Sequence, residues 1–327
     1  MPGAGKKVIV ATNSWYGPQI TLLRDTGFEE KMLPDRVDDS FRKEMATAQA
    51  LIPGLLNVDR KILEGAPQLV IVAAHGVGYN NVDLQGADEL GVLVTNSPGV
   101  NSDAVAEFTF GLMLSLARKI PQCDGEMKKG GWRRPDLWGW ELRGKTLSII
   151  GLGRIGSRVS RIGLAFGMKV LACDPYLAEQ NFQEAGAQPV SREEAIRRAD
   201  FLTLHTPLTD ETRRMVGSRE LGMMKKGALL INTARGGIVD EEALAKALEE
   251  GEIAGAGIDV FEEEPPADQK LAAHRRALSA PHMAGLSTEA RFRMSQGAAE
   301  RVASALRGER PSDVVNAPRN PRYLRMG

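Results

Sequence analysis

The sequence predicts an α/β protein built as two doubly wound parallel-sheet domains, and three observations carry that expectation. Short apolar runs bounded by Gly, Pro or Asn alternate with longer stretches of helical period, the pattern of a parallel sheet with crossover helices. The strands fall into two successive series, one in the first third of the chain and one after a long helical stretch. Finally, 327 residues exceed what one compact core usually holds, so two domains are expected.

In the first series, residues 8–11, 50–52, 69–73 and 92–94 read as strands. Asn57-Val58-Asp59 introduces a helical stretch at 60–63, and Asn81-Val82-Asp83 introduces one at 84–90; short polar side chains can accept the free N–H groups of a first turn. After Asn96-Ser97-Pro98-Gly99, Ser102 is expected to cap a helix whose Val105, Phe108, Leu112 and Leu116 repeat on one face, with Pro121 just beyond its end. The second series follows at 146–150, 170–173, 201–204, 228–231 and 255–258. Near the C-terminus Met294, Ala298, Val302 and Leu306 share a helical face, whereas the Pro- and Arg-rich tail from Arg310 has no such period. This helix is expected to cross back onto the first domain. The expected domains are therefore 1–98 with 288–327, and 99–287, the two chain crossings forming a hinged cleft.

Charge and cysteine content narrow the function. Lys plus Arg equals Asp plus Glu at 42 each, so no overall field draws the chain to nucleic acid or to an anionic membrane. Cys123 and Cys173 form no Cys-x-x-Cys pair, which suits a reducing compartment and argues against a structural disulfide or a metal site. Lys6-Lys7 ahead of Val8-Ile9-Val10 is too short for a signal peptide, and no run reaches the ~18 apolar residues of a membrane span. The expectation is a cytoplasmic protein whose partner is a small molecule.

Gly151-Leu152-Gly153-Arg154-Ile155-Gly156 is a Gly-x-Gly-x-x-Gly run. Its context gives it weight, because an apolar strand precedes it, an amphipathic stretch from Ile155 to Phe166 follows, and the next strand ends in Asp174. In such a unit Gly151 permits the tight turn, Gly153 admits a pyrophosphate against the backbone, and Gly156 lets helix and strand pack closely. Asp174 can accept hydrogen bonds from both ribose hydroxyls, while a 2′-phosphate there would meet a like charge with no Arg in Asp174-Pro175-Tyr176. The cofactor read from these residues is NAD (NADH) rather than NADP.

Asn-Thr-Ala-Arg-Gly-Gly-Ile-Val-Asp-Glu at 232–241, Asp-Val-Phe-Glu-Glu-Glu-Pro-Pro at 259–266 and Ala-Pro-His at 280–282 join this run in the chain. With Asn96–Asn101, Ala104-Val105-Ala106-Glu107 and His205-Thr206-Pro207-Leu208, they make the chain similar to the D-isomer-specific 2-hydroxyacid dehydrogenase family over positions 70–310. The resemblance implies a Rossmann NAD domain inserted in a flavodoxin-like substrate domain. It also implies a catalytic set of Arg235, Glu264 and His282, and each member has a chemical reason. Reduction of a 2-keto acid puts negative charge on the carbonyl oxygen, so a proton donor must stand beside it; His282 suits that role. Glu264 would orient the imidazole and favour its protonated form. Arg235 offers a planar fork for the substrate carboxylate or keto oxygen. By the same resemblance the cofactor set extends to His205, Thr206 and Pro207 in the adenine-side loop, to Thr233, Ala234 and Gly285, and to Asp259 as an acceptor for the nicotinamide carboxamide. His75 and His205 are the competing acids.

The loop His75-Gly76-Val77-Gly78-Tyr79-Asn80 follows a strand, and its glycines let N–H groups converge on an anion. The resemblance assigns Val77 and Gly78 to the substrate carboxylate, with Asn101 bordering the same cleft. Ile120-Pro121-Gln122 and the Met127–Trp132 stretch are similar to 3-phosphoglycerate dehydrogenases, but Pro53-Gly54 stands where those enzymes carry a phosphate-binding Arg and Ala74 where many relatives carry Arg. Trp138 falls where glyoxylate and hydroxypyruvate reductases carry a Trp that reaches the partner subunit's site, and Arg133 or Arg134 could replace the missing phosphate contact. A homodimer through the 102–140 region is implied. The expected activity is therefore reduction of glyoxylate, hydroxypyruvate or a similar small acid; 3-phosphoglycerate oxidation and a non-catalytic, corepressor-like NAD sensor are the alternatives.

Overall fold

Two all-parallel sheets organise the residues that the computed structural model describes, namely 7–11, 28–34, 36–54 and 56–326. Each belongs to its own unit of the chain, one formed by Met1–Asn101 with Ser287–Gly327 and the other by Ser102–Leu286. In the smaller unit, β1 (Lys7–Ala11), β2 (Glu29–Leu33), β3 (Ala50–Ile52), β4 (Ile71–Ala73) and β5 (Leu93–Thr95) line up as β2-β1-β3-β4-β5. That is the flavodoxin-like order. Helices α1 (Asp39–Met45), α2 (Arg60–Glu64) and α3 (Leu84–Leu90) are each preceded by a capping aspartate, Asp38, Asp59 and Asp83, whose carboxylates accept from the N–H of Phe41, Ile62 and Gly86 respectively. β2 has no counterpart in the apolar pattern. Three of its five residues are Glu29, Glu30 and Lys31, as suits an edge strand paired only with β1.

The larger unit opens with α4 (Ser102–Ala117), and Ser102 is its first helical residue rather than a residue flanking it. Pro121 then enters the first turn of α5 (Ile120–Lys128), where a missing N–H costs nothing. The remaining elements are β6 (Thr146–Ile150), α6 (Arg154–Ala165), β7 (Lys169–Cys173), α7 (Glu179–Ala185), β8 (Gln188–Pro189), α8 (Arg192–Arg198), β9 (Phe201–Leu204), α9 (Ser218–Met223), β10 (Leu229–Asn232), α10 (Glu241–Glu250), β11 (Gly255–Ile258) and β12 (Ala277–Ser279). Their order, β12-β11-β10-β9-β6-β7-β8, is the Rossmann arrangement with one added strand. The two strands absent from the sequence reading, β8 and β12, are the edges, too short and too exposed to carry an apolar run.

Alternation along the central strands feeds two cores, one on each face. Leu147, Ile149, Phe201, Leu229 and Ile231 pack with Phe110 and Met113 of α4. Ile150, Leu202, Leu204 and Leu230 pack with Ile196, Leu244 and Leu248. The chain then returns to the smaller unit as α11 (Thr288–Leu306), capped by Ser287 on the N–H of Ala290. Met294, Ala298, Val302 and Leu306 are buried, and the last three join Val8, Ala50 and Ile71 in a core. The aperiodic tail runs beside β5, where Asn316 accepts from Val94 N and donates to Val92 O. Among the described residues no helix is long and apolar enough to cross a membrane.

Candidate active site

Strand register builds the candidate site of the larger unit. Cys173 pairs with Ile150, Ile150 with Leu204, Leu204 with Asn232, Asn232 with Ile258 and Ile258 with Ser279. These are the last residues of six strands. Asp174, Gly151, His205, Thr233, Asp259 and Ala280 therefore leave the sheet in one row along its carboxyl edge, where α/β folds bind ligands.

Gly151 has φ +91°, and a Cβ there would lie 2.6 Å from the carbonyl oxygen of His205. At Gly156 a Cβ would lie 2.1 Å from the carbonyl oxygen of Gly151, so helix and turn meet backbone to backbone. Gly153 differs: it heads α6 without a side-chain cap, and a Cβ there would meet nothing within 4 Å. The fold supplies a reason for Gly151 and Gly156 and none for Gly153. Beside the turn, Asp174 accepts from Leu152 N at 2.9 Å and from Tyr176 N at 3.1 Å, and a carboxylate has about four acceptor sites in all. His205 bonds Thr203 through Nε2, but its buried Nδ1 and the hydroxyl of Thr206 have no partner among the described residues. Burial pulls the pKa of His205 down to about 3. An uncapped helix start, open space at Gly153 and unpartnered polar atoms on the two residues packed against Gly151 fit a phosphate-bearing dinucleotide. Arg154 and Ile155 form the first turn of α6, and Pro207 continues the loop after β9.

Farther along the row, His282 Nδ1 lies 2.6 Å from Glu264 Oε2, and Glu264 Oε1 accepts from Phe261 N. Burial raises the Glu264 pKa, but the His282 hydrogen bond and charge, the Phe261 N–H and Arg235 outweigh it and leave it lowered. With Nδ1 held against a carboxylate, Nε2 is the ring nitrogen that makes no hydrogen bond among the described residues. His282 has φ +55°. Asp259, 1% exposed, holds it there: its carbonyl accepts from His282 N, and its two carboxylate oxygens accept from Met283 N at 2.7 Å and Ala284 N at 2.9 Å. Burial pushes the Asp259 pKa up against these two N–H bonds. Gly285 follows on the same loop.

Arg235 is partly buried, which lowers its pKa, while Glu264 opposes that shift. Its Nη1 donates to Ala234 O, and no carboxylate lies within 4.0 Å of the guanidinium among the described residues. Most of its fork is thus open to a ligand. Asn232, which motif reading passed over, shapes this turn by accepting from Ala234 N and donating to Arg235 O. Thr109 was missed as well: its hydroxyl pairs at 2.9 Å with that of Thr233, a contact between a helix and a strand end that no local pattern reveals.

In the smaller unit, Ser97 N donates to Gly76 O and Asn96 donates to Val77 O, fixing the loop after β4. The N–H groups of Val77 and Gly78 are left without acceptors among the described residues. His75 bonds Ser295 of α11 at 2.9 Å, and burial, then Arg291, lowers its pKa to about 4. Asn101 carries a buried Oδ1 with no partner among the described residues. Back in the larger unit, Trp138 and Trp132 are 74% and 67% exposed. Arg134 is occupied by Asp136 and Glu126; Arg133 has no ion pair among the described residues.

Residues 110–284 match the family model described as the D-isomer specific 2-hydroxyacid dehydrogenase, NAD binding domain. The chain is 46% identical over 267 residues to a glyoxylate reductase of Aeropyrum pernix, covering 79% of this chain and 80% of that one. It is 39% identical over 315 residues to a D-3-phosphoglycerate dehydrogenase of Methanocaldococcus jannaschii, covering 96% of this chain and only 60% of that protein. The crystal structure of an Aquifex aeolicus D-lactate dehydrogenase complexed with NAD and lactic acid superposes with a TM-score of 0.83 at 30% identity, over 93% of this chain and 96% of that one.

Proposed function

Since the chain belongs to the D-isomer specific 2-hydroxyacid dehydrogenase family, we propose that it reduces a small 2-keto acid, of the glyoxylate or hydroxypyruvate class, to the D-2-hydroxy acid. The observation that carries this reading is the Glu264–His282 pair, with its Nε2 free, on the same carboxyl edge as the open fork of Arg235. Bound NADH supplies the hydride. The turn 151–156 holds the cofactor phosphates, Asp174 takes the ribose hydroxyls with its remaining lone pairs, and the loop at 205–207 lies on the adenine side.

Arg235 binds the acid's carboxylate or keto oxygen and stabilises the charge that grows on that oxygen. His282 Nε2 donates the proton, and Glu264 holds the opposite ring nitrogen so that the imidazole presents that edge. In the oxidation direction His282 must start neutral, so reduction is favoured at lower pH than oxidation. Asp259 keeps the 282–285 loop in place and uses a remaining lone pair for the nicotinamide carboxamide. In the smaller unit, the open N–H groups of Val77 and Gly78 are assigned to the substrate carboxylate, with His75 and Asn101 beside that role. The exposed Trp138 and Trp132 fit a homodimer through the 102–140 region, Trp138 then reaching the partner's substrate.

The unphosphorylated substrate class rests on similarity to glyoxylate reductases and on the cations. Pro53-Gly54 and Ala74 offer none, and Arg134 is already neutralised by two carboxylates. The 39% identity to a phosphoglycerate dehydrogenase favours the second reading, a phosphorylated acid met by Arg133. Measuring NADH oxidation with glyoxylate, hydroxypyruvate and phosphohydroxypyruvate at several pH values decides. Highest kcat/KM on phosphohydroxypyruvate would establish the second reading, and NADH binding without turnover on any acid would make the chain a sensor.

A further inference from the structure

The motif at 232–241 ends in Asp240-Glu241, and neither residue enters the chemistry above. Asp240 caps α10 by accepting from Ala243 N at 3.0 Å. Glu241 is the first residue of that helix, where an acid ordinarily lies beside the free N–H groups of the first turn. Its carboxylate instead reaches another segment. Oε1 accepts from Glu262 N at 2.5 Å, a contact across 21 residues of sequence.

That bond falls on the turn that carries Glu264. The N–H groups of two consecutive residues, Phe261 and Glu262, are taken by two carboxylates, Glu264 Oε1 from within the turn and Glu241 Oε1 from outside it. The same peptide lies against the turn after β10: a Cβ at Gly236 would lie 1.9 Å from Phe261 O and 2.5 Å from Glu262 N. Arg214 closes the arrangement. Its N–H donates to Gly237 O at 2.7 Å, and its guanidinium lies 3.2 Å from the Glu262 carboxylate and 3.6 Å from that of Asp240. The turns bearing Arg235 and Glu264 are thus fastened to each other and to the start of α10.

Charge is not what suits Glu241 to this place. Burial raises its pKa against the Glu262 N–H, and the carboxylates of Glu262 and Glu264 add to the rise while Arg214 opposes it. What the position uses is an oxygen that accepts from Glu262 N. With both N–H groups of the turn satisfied, Glu264 Oε2 meets His282 Nδ1 at 2.6 Å.

We propose that Glu241 is a positioning residue of the proton relay, holding through Glu262 N the turn from which Glu264 orients His282. This rests on the relay assigned to Glu264 and His282 under the proposed function, and Glu241 acts through Glu264 alone.

Steady-state reduction of glyoxylate and hydroxypyruvate by Glu241→Ala, Glu241→Gln and Glu241→Ala/Glu264→Gln tests it. Glu241→Ala should lower kcat by about 3- to 30-fold, the upper figure being the cost of losing the Glu264 charge itself, with KM for NADH unchanged. Glu241→Gln keeps an acceptor oxygen and should recover kcat to within about twofold of the parent. The double variant should be no slower than Glu264→Gln, because a residue that works through Glu264 then has nothing left to position. Selective 15N-labelling of the four histidines reads the same geometry without turnover. The Nδ1 resonance of His282, identified by its loss in His282→Gln, should move in Glu241→Ala towards its position in Glu264→Gln and stay in place in Glu241→Gln. Parental kcat in Glu241→Ala, an equal fall in Glu241→Gln, multiplied losses in the double variant, or an unmoved His282 resonance in Glu241→Ala would each overturn the proposal. A parent that reduces no keto acid, with the resonance still shifted in Glu241→Ala, would overturn the enzymatic reading and uphold the positioning.

Discussion

Gly153 and Gly156 sit three residues apart in one turn, and alanine at each should weaken NADH while only the second lowers stability. A Cβ at Gly156 would lie 2.1 Å from Gly151 O, whereas ordinary contact begins at 3.4 Å. The start of α6 must then move by roughly 1.3 Å against a packed strand end, a strain costing about 1–3 kcal/mol or more. Gly156→Ala should therefore lower the unfolding midpoint and weaken NADH together. At Gly153 a Cβ meets nothing within 4 Å and φ is −68°. Alanine is a poorer helix cap than glycine by about 0.5 kcal/mol, and a stiffer unfolded chain returns about as much. The unfolding midpoint of Gly153→Ala should thus stay within a degree or two of the parent. The same methyl would occupy the approach of the cofactor phosphates. Loss of one charged hydrogen bond, about 1.5–3 kcal/mol, lowers NADH affinity between about tenfold and 150-fold. Fluorescence titration of NADH and thermal unfolding on the same samples separate the two effects. An unchanged NADH Kd in Gly153→Ala would refute the placement of the phosphates.

The other expectations follow from the proton and charge geometry. Arg235→Lys keeps a positive charge but loses the planar fork, and steady-state kinetics should show kcat/KM for the keto acid down by about 10²-fold with KM for NADH little changed. Glu264→Gln should barely move the unfolding midpoint, because the 2.6 Å pair with His282 has side chains 37% and 44% exposed and an exposed pair stabilises by at most about 1 kcal/mol. Its turnover in reduction should still fall about 5- to 30-fold as a charge-assisted hydrogen bond becomes a neutral one. His75, with its pKa lowered to about 4, is neutral in the folded chain where the unfolded chain is protonated. Stability is therefore complete above about pH 6.5 and is lost as pH falls towards 4, by up to about 3 kcal/mol from this group. Urea unfolding of His75→Gln between pH 7 and 4 should show a flatter loss than the parent; parallel curves would place the acid sensitivity elsewhere.

Much of the fold is written in the sequence because buried parallel strands leave apolar runs. Residues 50–52, 146–150, 201–204 and 255–258 are strands over those very bounds. β2, β8 and β12 were not legible, since an edge strand pairs on one side and needs no apolar run. The site divides in the same way. Gly151, Asp174, Arg235, Glu264 and His282 lie in motifs whose spacing follows the chain. Thr109 and the partner of His75 depend on what folds against them: the hydroxyls of Thr109 and Thr233 meet across 124 residues, and the contact of His75 with Ser295 joins residues 220 apart in sequence. Arg134 was legible as a cation, and its capture by Asp136 and Glu126 was not. A charge can be read from sequence, but its availability depends on neighbours brought in by the turn at 135–137 and by α5.

Asp259 shows how one buried residue holds a whole loop of the candidate site. It is buried, and burial works against its charge, so a carboxylate is a costly choice for a loop anchor unless the anchor must accept two bonds at once. Met283 N and Ala284 N both point at it, from consecutive residues, at 2.7 and 2.9 Å. An asparagine could accept only one and would turn an N–H donor towards the other. The loop so held begins at His282, whose left-handed backbone has no glycine to ease it and whose N–H is tied to the carbonyl of the same aspartate. A strained, half-exposed histidine keeps one position only if its surroundings over-determine it. Here Asp259 fixes the backbone and Glu264 fixes the ring through Nδ1, so that Nε2 is the ring nitrogen left without a hydrogen bond among the described residues.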